Sequence, residues 1–529
     1  MDTLLISKRI YTVTNGLLDG AIGITGDKIS YVGPVNKAQT TTDTRIIDLG
    51  DMFIMPGLIE GHTHMMPYRN QIDFSAAASI EDCQRMIVDF HKCFPEECPV
   101  VGYKWFEADW GGSIPSRKTA DAVLPDTPFW ASDMEMHRVW MNSAMMKRLH
   151  LSKETILSFS KGRPDMVDVD ENGDPTGIVH DEVAMDLILS LSVKPDEENI
   201  GKMFDIWTRL GVTSINDMDF FTEDSPVLMI TKKLLDKSLL NVRVFSSLDA
   251  KLATDNSIET GKSFMNCDMF RLNALKSFLD GTAAGFTAFM LKPYKNTDII
   301  GASYRTEDEL YRFIRLASSH GLATHFHACG DAAVRQALNA YKRAASDGIM
   351  LDERSSIEHL DTALLSDVED AAKLGISLNM TPDFLAPTKK WKNNPYIGIY
   401  TDDVENTELF SLGSFINTGI NVSFGTDGTA SSFNPMDQLY RAVTRRADDG
   451  FPDGGFRPAE AVDIQKAIYC YTIGSAKSIG MSDSLGSIEI GKYADISVFD
   501  TDLLTASYDE IKKAKAVMVI SDGRIVYQA

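Results

Sequence analysis

The chain has 529 residues, of which 44% are hydrophobic and 24% are charged. These values are ordinary for a globular protein, and the length leaves room for more than one domain. Acidic residues outnumber Lys and Arg by 75 to 52, so the formal net charge is −23. Because an acidic surface repels phosphate backbones, we expect no nucleic-acid partner.

The six cysteines form no Cys-x-x-Cys pair and are too sparse for a secreted disulfide scaffold. The first apolar run, residues 4–6, is followed by Lys8 and Arg9, which does not fit a signal peptide. No stretch approaches the ~18 apolar residues of a membrane span. We therefore expect a cytoplasmic protein with reduced thiols and no membrane partner.

Both ends of the chain have the pattern of short strands joined by turns. Apolar and β-branched runs with turn signals predict strands over residues 4–13, 21–32, 45–49, 488–499 and 516–527. The turns inside these runs are predicted at Gly26-Asp27, Gly491-Lys492 and Asp522-Gly523. Because neither end has enough strands to be stable alone, we predict one small β-sandwich domain made of residues 1–55 and 480–529.

Strands and helices alternate between residues 205 and 480. In one unit, Thr306 and Glu309 form a capping box that begins a helix, Gly321 ends it, and residues 322–327 form a strand. Asp331 is then expected to cap the next helix. Other predicted strands end near Asp217, Lys276, His359, Met380 and Asp427.

Repeated βα units predict a parallel sheet, and this many favour a closed barrel. We predict an α/β protein with a distorted (β/α)8 TIM-type barrel over residues 56–479. Residues about 68–200 interrupt the alternation and are rich in Trp, Met, Asp and Pro. We predict that they form an inserted subdomain.

Five residues that can bind a metal stand at predicted strand ends. His62 and His64 follow an apolar run, and residues two apart on a strand point to the same side. His327, His359 and Asp427 stand at the ends of three other strands. Because a barrel gathers the carboxyl ends of its strands, we expect these side chains to form a metal site.

The order His-x-His, Lys, His, His, Asp resembles the amidohydrolase superfamily. Finer motifs, spread over nearly the whole chain, are similar to its YtcJ-like branch (amidohydrolase family 3), which includes N-substituted formamide deformylases. These motifs are the lysine strand with its Asp-Gly-Thr turn at residues 276–282, His327-Ala328-Cys329-Gly330-Asp331, Ile357-Glu358-His359, Gly425-Thr426-Asp427, and Gly-Lys-x-Ala-Asp at residues 491–495.

The resemblance implies a ligand set for divalent metal. His62 and His64 would bind one ion, expected to be Zn²⁺, and His327 and His359 would bind or flank a second, so the chain would hold one or two ions. The family pattern does not use His325, which we treat as a neighbour of the site.

The resemblance also implies two catalytic groups. Lys276 would react with CO₂ to give a carbamate that bridges two metal ions. Asp427 would contact the metal and its bound water, take a proton as water attacks, and return it to the leaving nitrogen. The alternative for Lys276 is a structural lysine paired with Asp280.

Candidate substrate contacts are His137, Asp280, Asp331 and Trp110. His137 lies in a segment similar to one near the family's substrate pocket, although Glu135 and Met136 differ from that pattern. Asp331 has the alternative of a helix N-cap, and Trp110 that of packing inside the insert.

We expect the reaction to be hydrolysis of a non-peptide C–N bond in a small amide, formamide or cyclic amide. A nucleobase-type deaminase is the first alternative, but deaminases of this superfamily usually have His-x-x-Glu where this chain has His327 and Gly330. The second alternative is a non-catalytic assembly relative, which would typically have lost metal ligands that this chain retains. A homo-oligomer is compatible with the sequence.

Overall fold

The computed structural model describes residues 1–110, 112–133, 138–282, 286–385, 408–428 and 431–529. They divide into two compact units, one made of residues 1–66 with 195–529 and the other of residues 67–194. Of the described helices, none is both long and apolar enough to span a membrane.

The strands, numbered along the chain, are β1 (Thr3–Tyr11), β2 (Leu17–Thr25), β3 (Lys28–Gly33), β4 (Arg45–Asp48), β5 (Phe53–Pro56), β6 (Leu58–Thr63), β7 (Ile72–Asp73), β8 (Val100–Trp105), β9 (Phe129–Asp133), β10 (Arg138–Met141), β11 (Val167–Val169), β12 (Pro175–His180), β13 (Val212–Phe221), β14 (Arg243–Asp249), β15 (Asn266–Cys267), β16 (Phe270–Phe278), β17 (Ala323–Ala328), β18 (Ser356–His359), β19 (Ser377–Met380), β20 (Val422–Phe424), β21 (Ile496–Phe499), β22 (Ala516–Ser521) and β23 (Arg524–Gln528).

The α-helices described in residues 67–194 are Ile80–Cys93, Arg117–Asp121, Ser143–Arg148, Ile156–Phe159 and Asp181–Leu191. Those described in the other unit are Glu197–Arg209, Pro226–Asp236, Asp255–Phe264, Glu307–Ser319, Asp331–Ser346, Leu365–Lys373, Leu412–Asn417, Pro435–Thr444, Ile464–Tyr469, Ser475–Ser478 and Tyr508–Lys513.

Strands from both ends of the chain form one sheet in the first unit. Its order is β23-β22-β21-β5-β1-β2-β3, with β4 paired to β1. Because β5 pairs with β1 on one side and with β21 on the other, the two ends share one hydrogen-bonded sheet. The predicted turns at Gly26-Asp27 and Asp522-Gly523 are confirmed, since they join β2 to β3 and β22 to β23.

The strand predicted over residues 488–499 is wrong for its first part, because β21 begins only at Ile496. The backbone before it makes isolated hydrogen bonds with β3: Gly491 N donates to Ile29 O at 2.8 Å, and Ile29 N donates to Lys492 O at 2.9 Å. Gly491 has a φ of +93°, which turns the chain out of an extended conformation. Backbone polar groups here are thus satisfied without a strand ladder.

Eight parallel strands of the described chain form a nearly closed barrel. Their order is β6-β13-β14-β16-β17-β18-β19-β20, and each neighbouring pair is parallel. The short strand β15 pairs antiparallel with β16 and is not one of the eight barrel strands. Since the strands run in one direction, their carboxyl ends lie at one rim.

The seam between β20 and β6 is closed by the loop that follows β20. Asp427 N donates to His62 O at 2.9 Å, and Thr426 N donates to the buried carboxylate oxygen Glu60 Oε2 at 2.7 Å. A Cβ on Gly425 would lie 2.4 Å from His62 N, so this approach requires glycine. The closure therefore brings the Asp427 segment directly against β6.

Thr306 and Glu309 form the predicted capping box. The prediction that Asp331 caps the next helix is wrong, because Gly330 holds the N-cap position and Asp331 is the first helical residue. The Asp331 side chain instead accepts a hydrogen bond from Leu291 N at 2.7 Å.

The second unit, residues 67–194, contains a six-stranded sheet of order β11-β12-β10-β9-β8-β7. Four tryptophans of its described residues are buried, Trp105, Trp110, Trp130 and Trp140. Trp105 donates to Ala131 O, Trp140 donates to Ser116 O, and the Trp110 ring stacks on Trp105 with centroids 6.4 Å apart. The sequence predicts the inserted subdomain over residues about 68–200, and the compact unit of the structure spans residues 67–194.

Candidate metal centre

His62 and His64 lie at the carboxyl end of β6 and face Asp427. His62 Nε2 is 3.6 Å and His64 Nε2 is 3.2 Å from Asp427 Oδ1. The Asp427 backbone is held in the left-handed region, with a φ of +48°, by its hydrogen bond to His62 O. This uncommon conformation, which Asp tolerates better than most residues, turns the carboxylate toward the two imidazoles.

His327 and His359, from β17 and β18, lie beside this pair. The His62 and His359 ring centroids are 4.8 Å apart, and those of His327 and His359 are 4.4 Å apart. His359 Nδ1 is 3.9 Å from Asp427 Oδ2. Donor atoms of His62, His359 and Asp427 all lie within 4.8 Å of one another, which is the spacing of a compact metal centre.

Two carboxylates that were not predicted as site residues orient the first two histidines. His62 Nδ1 is 2.6 Å from Glu358 Oε2, and His64 Nδ1 is 2.8 Å from Asp219 Oδ1. Each carboxylate accepts the Nδ1 proton, so Nε2 is turned toward Asp427. Histidines that ligate metals are commonly oriented in this way.

The negatively charged groups around His64 favour a positive charge at this position. Burial lowers the pKa of His64, but the hydrogen bond and charge of Asp219, reinforced by Asp427, outweigh it and raise the pKa to about 10. Without a metal this imidazole would therefore carry a proton at neutral pH. A divalent ion bound at Nε2 would take the place of the proton there, and the negative charges of Asp219 and Asp427 would stabilise it.

The other two histidines are held neutral, the form in which imidazole binds a metal. Burial, followed by the charge of Lys276, lowers the pKa of His327 to about 3, and burial also keeps the pKa of His359 well below its usual range. His327 Nε2 lies 3.2 Å from Gly281 O, so it carries the proton. The buried Nδ1 of His327 has no hydrogen-bond partner among the described residues, which leaves its lone pair free for a metal.

Lys276 lies in β16 and is fully buried. Its Nζ has no hydrogen-bond partner within the described part of the chain, and burial lowers the pKa of the amine. Asp280 does not serve as its partner. The Asp280 carboxylate instead accepts hydrogen bonds from the backbone N–H groups of Phe289, Cys329 and Gly330.

The predicted ligands His62, His64, His359 and Asp427 are thus brought together, with His327 against His359. The centre offers a carboxylate and several imidazole nitrogens, among them His327 Nδ1, which has no hydrogen-bond partner among the described residues. This donor set suits a divalent metal such as Zn²⁺.

His325 is buried beside the centre, as expected of a neighbour. Its Nδ1 is 2.6 Å from Ser356 Oγ, and Ser356 Oγ also hydrogen-bonds to Glu358. His325 therefore belongs to the network that holds Glu358 against His62.

The predicted substrate contacts have varied surroundings. His137 lies outside the described residues. Asp331 is half-buried and bonded to Leu291 N, and Trp110 is stacked on Trp105. Their contact with a substrate stays a prediction.

A nearly closed parallel barrel with polar and charged side chains gathered at the carboxyl ends of its strands is the architecture of barrel enzymes. The model of the amidohydrolase family matches residues 45–527, and the chain belongs to this family of hydrolases.

Relatives resemble the chain over nearly its whole length. It is 26% identical to the YtcJ protein of Bacillus subtilis (strain 168), named as an amidohydrolase, over 96% of this chain and 95% of that protein. It is 24% identical to the N-substituted formamide deformylase of Arthrobacter pascens, over 100% of this chain and 98% of that enzyme. The crystal structure of an uncharacterized metal-dependent hydrolase from Pyrococcus horikoshii OT3 matches with a TM-score of 0.74 and 22% identity, covering 96% of this chain and 99% of the other. At 22% identity, the similarity to this crystal structure shows the fold alone.

Proposed function

We propose that the protein is a metal-dependent hydrolase of non-peptide C–N bonds in small amides, formamides or cyclic amides. The observation that carries the proposal is the convergence of His62, His64 and His359 on the carboxylate of Asp427, next to a buried lysine without a partner.

His62 and His64 through Nε2, with Asp427 Oδ1, would hold one divalent ion, and His327 and His359 would hold a second. Zn²⁺ is the expected metal, because it takes imidazole and carboxylate ligands in this combination. When bound, such a metal lowers the pKa of a water molecule towards ~7 and polarises a carbonyl oxygen.

Lys276 would bridge the two positions as a carbamate. The neutral amine attacks CO₂, an N–C bond forms, and the displaced proton leaves to solvent. An ammonium ion cannot react in this way, so the lowered pKa of Lys276 supports the modification. The product would offer carboxylate-like oxygens as ligands for divalent metal.

Asp427 would carry the proton between water and leaving nitrogen. Burial raises its pKa, but the hydrogen bond from His64 and the charges of His62 and His64 outweigh this and lower it overall. The side chain is therefore a carboxylate able to accept a proton. Oδ1 faces the two Nε2 atoms, whereas Oδ2 is 3.9 Å from His359 Nδ1, so Oδ2 is the freer oxygen for proton transfer.

The relative that hydrolyses N-substituted formamides supports formamides as substrates. The deaminase alternative is disfavoured at Gly330, where a glutamate shuttle would be expected. A Cβ at Gly330 would lie 2.1 Å from Phe289 O, so no side chain fits there without a backbone shift.

The test is to incubate the zinc-loaded protein with a panel of N-substituted formamides, simple amides and cyclic amides, and to measure formate or carboxylate together with the free amine. We expect turnover of at least one class, and a fall of about 10²–10⁴-fold in kcat for Asp427→Asn, which keeps the shape but loses the base. Absence of turnover in all three classes would overturn the proposal, as would an Asp427→Asn variant with full activity. Ammonia release from nucleobases alone would favour a deaminase.

A further inference from the structure

A second group of donor atoms lies on the side of His327 that faces away from its free Nδ1. His327 Nε2 is 3.5 Å from Cys329 Sγ and 3.7 Å from Asp280 Oδ1. The three donor atoms lie within 4.8 Å of one another, and all three residues are buried.

We propose that Asp280, His327 and Cys329 form a further metal site that binds a thiophilic divalent cation through Sγ, Nε2 and Oδ1. The ligand class is zinc, cobalt or cadmium, because a thiolate with an imidazole and a carboxylate is a donor set of soft and borderline metals. No residue except His327 is shared with the centre described above.

The spacing of the donors fits a tetrahedral ion. Bond lengths of about 2.3 Å to sulfur and about 2.1 Å to nitrogen or oxygen place the sulfur and nitrogen ligands about 3.6 Å apart, and nitrogen and oxygen ligands about 3.4 Å apart. The observed separations from His327 Nε2 are 3.5 Å to sulfur and 3.7 Å to oxygen, and the sulfur and carboxylate donors lie within 4.8 Å of each other. Only small side-chain movements are therefore needed to receive the ion.

The Asp280 carboxylate is already held in place for this role. Its Oδ2 accepts from Phe289 N and Gly330 N, both at 2.9 Å, while Oδ1 accepts only from Cys329 N, at 3.0 Å. A carboxylate oxygen has two lone pairs, so Oδ1 retains one for the cation. Gly281 O, 3.2 Å from His327 Nε2, is available as a fourth oxygen donor.

Protons must leave for the ion to bind. Burial and nearby carboxylates, among them Asp361, to which the thiol hydrogen-bonds, raise the pKa of Cys329, so the thiol loses its proton only as the metal–sulfur bond forms. The proton on His327 Nε2 moves to Nδ1, or is lost if Nδ1 already holds a metal. If the proposed function is right, excess metal would therefore compete with ligation of the catalytic ion by His327.

The experiment uses cobalt as the probe in the full chain. Cys93 and Cys98 are exposed, so both are first replaced by serine to remove background thiols. Co²⁺ is then titrated in, and the near-ultraviolet thiolate-to-cobalt charge-transfer absorption is recorded together with cobalt bound per chain. We expect the absorption to appear in this protein. In Cys329→Ser we expect both the absorption and one equivalent of bound cobalt to be lost. In Cys470→Ser, which changes a matched buried cysteine, the absorption should persist.

Absence of the absorption in the Cys93→Ser, Cys98→Ser protein at saturating cobalt would overturn the proposal, whether or not Cys329→Ser folds. Persistence of the absorption in Cys329→Ser would overturn it equally. The catalytic donors contain no sulfur, so this signal is independent of the proposed hydrolase activity, and either can fail without the other.

Discussion

Replacing Glu358 by Gln isolates the contribution of one buried charge to metal binding. The Glu358 carboxylate is fully buried and lies 2.6 Å from His62 Nδ1, while Ser356 Oγ hydrogen-bonds to its other oxygen. In Glu358→Gln the amide oxygen can still accept from His62, and the amide nitrogen can donate to Ser356. The shape of the network is kept, and only the negative charge behind the imidazole is lost.

Loss of such an orienting carboxylate typically weakens metal affinity by about 10–100-fold, or about 1.4–2.8 kcal/mol. We expect the upper part of this range, because the contact is short and shielded from water. The assay is competition with a chelator of known affinity, with bound zinc measured per chain.

The control is Glu460→Gln. Glu460 is also a buried carboxylate, but it accepts hydrogen bonds from Ser414 N and Ser414 Oγ, away from the predicted ligands. Its replacement should leave zinc affinity unchanged. A Glu358→Gln protein that folds and binds zinc as tightly as the unaltered protein would refute the role assigned to this carboxylate.

Three further changes test the packing and charges of the fold. Gly330→Ala places a Cβ 2.1 Å from Phe289 O and should lower the thermal midpoint in differential scanning fluorimetry, by an overpacking cost of about 1–3 kcal/mol; an unchanged midpoint would contradict the packing. Arg243→Met breaks a buried pair in which Nε is 2.9 Å from Asp495 Oδ2, and should cost about 3–5 kcal/mol in denaturant unfolding; a loss below about 1 kcal/mol, the worth of an exposed pair, would contradict its burial. Burial raises the pKa of Glu60 to about 8, so the folded state of the metal-free protein binds a proton that the unfolded state has released. Stability should fall as pH rises from about 5 to 8, and Glu60→Gln should flatten that fall; parallel profiles would contradict it.

The sequence predicted the ligands because each stands at a strand end within a strong local pattern. His62 and His64 share a side of β6 through their spacing, and His359 and Asp427 end or follow short buried strands. A parallel barrel then brings strand ends together whatever the details of the loops. The alternation of strands and helices was therefore sufficient for this part of the site.

The orienting carboxylates could not be predicted in the same way. Glu358 stands inside the Ile-Glu-His motif, and Asp219 follows a predicted strand end by two residues. Their histidine partners are 296 and 155 residues away in sequence. Which carboxylate meets which imidazole depends on strand register across the barrel, and a single sequence carries little information about it. The unexpected length of β13, which continues to Phe221, placed Asp219 inside a strand.

The donor cluster around Cys329 was missed for a related reason. Cys329 follows His327 by two residues, inside a family motif that gives the cysteine no role of its own. Asp280 joins them because three backbone N–H groups hold its carboxylate against the loop after β17. Such a contact arises from loop packing rather than from any periodic pattern.

The central claim is that Lys276 helps to hold two metal ions at the carboxyl end of the barrel. Metal content per chain, measured by elemental mass spectrometry for the unaltered protein and for Lys276→Met, tests it most directly, since Met fills the same buried space without an amine. With Cys329→Ser present in both proteins, so that the further site proposed above does not contribute, we predict about two ions per chain, falling to about one or fewer in the variant. A single ion per chain that is unchanged in Lys276→Met would contradict the account and leave Lys276 with a structural role only.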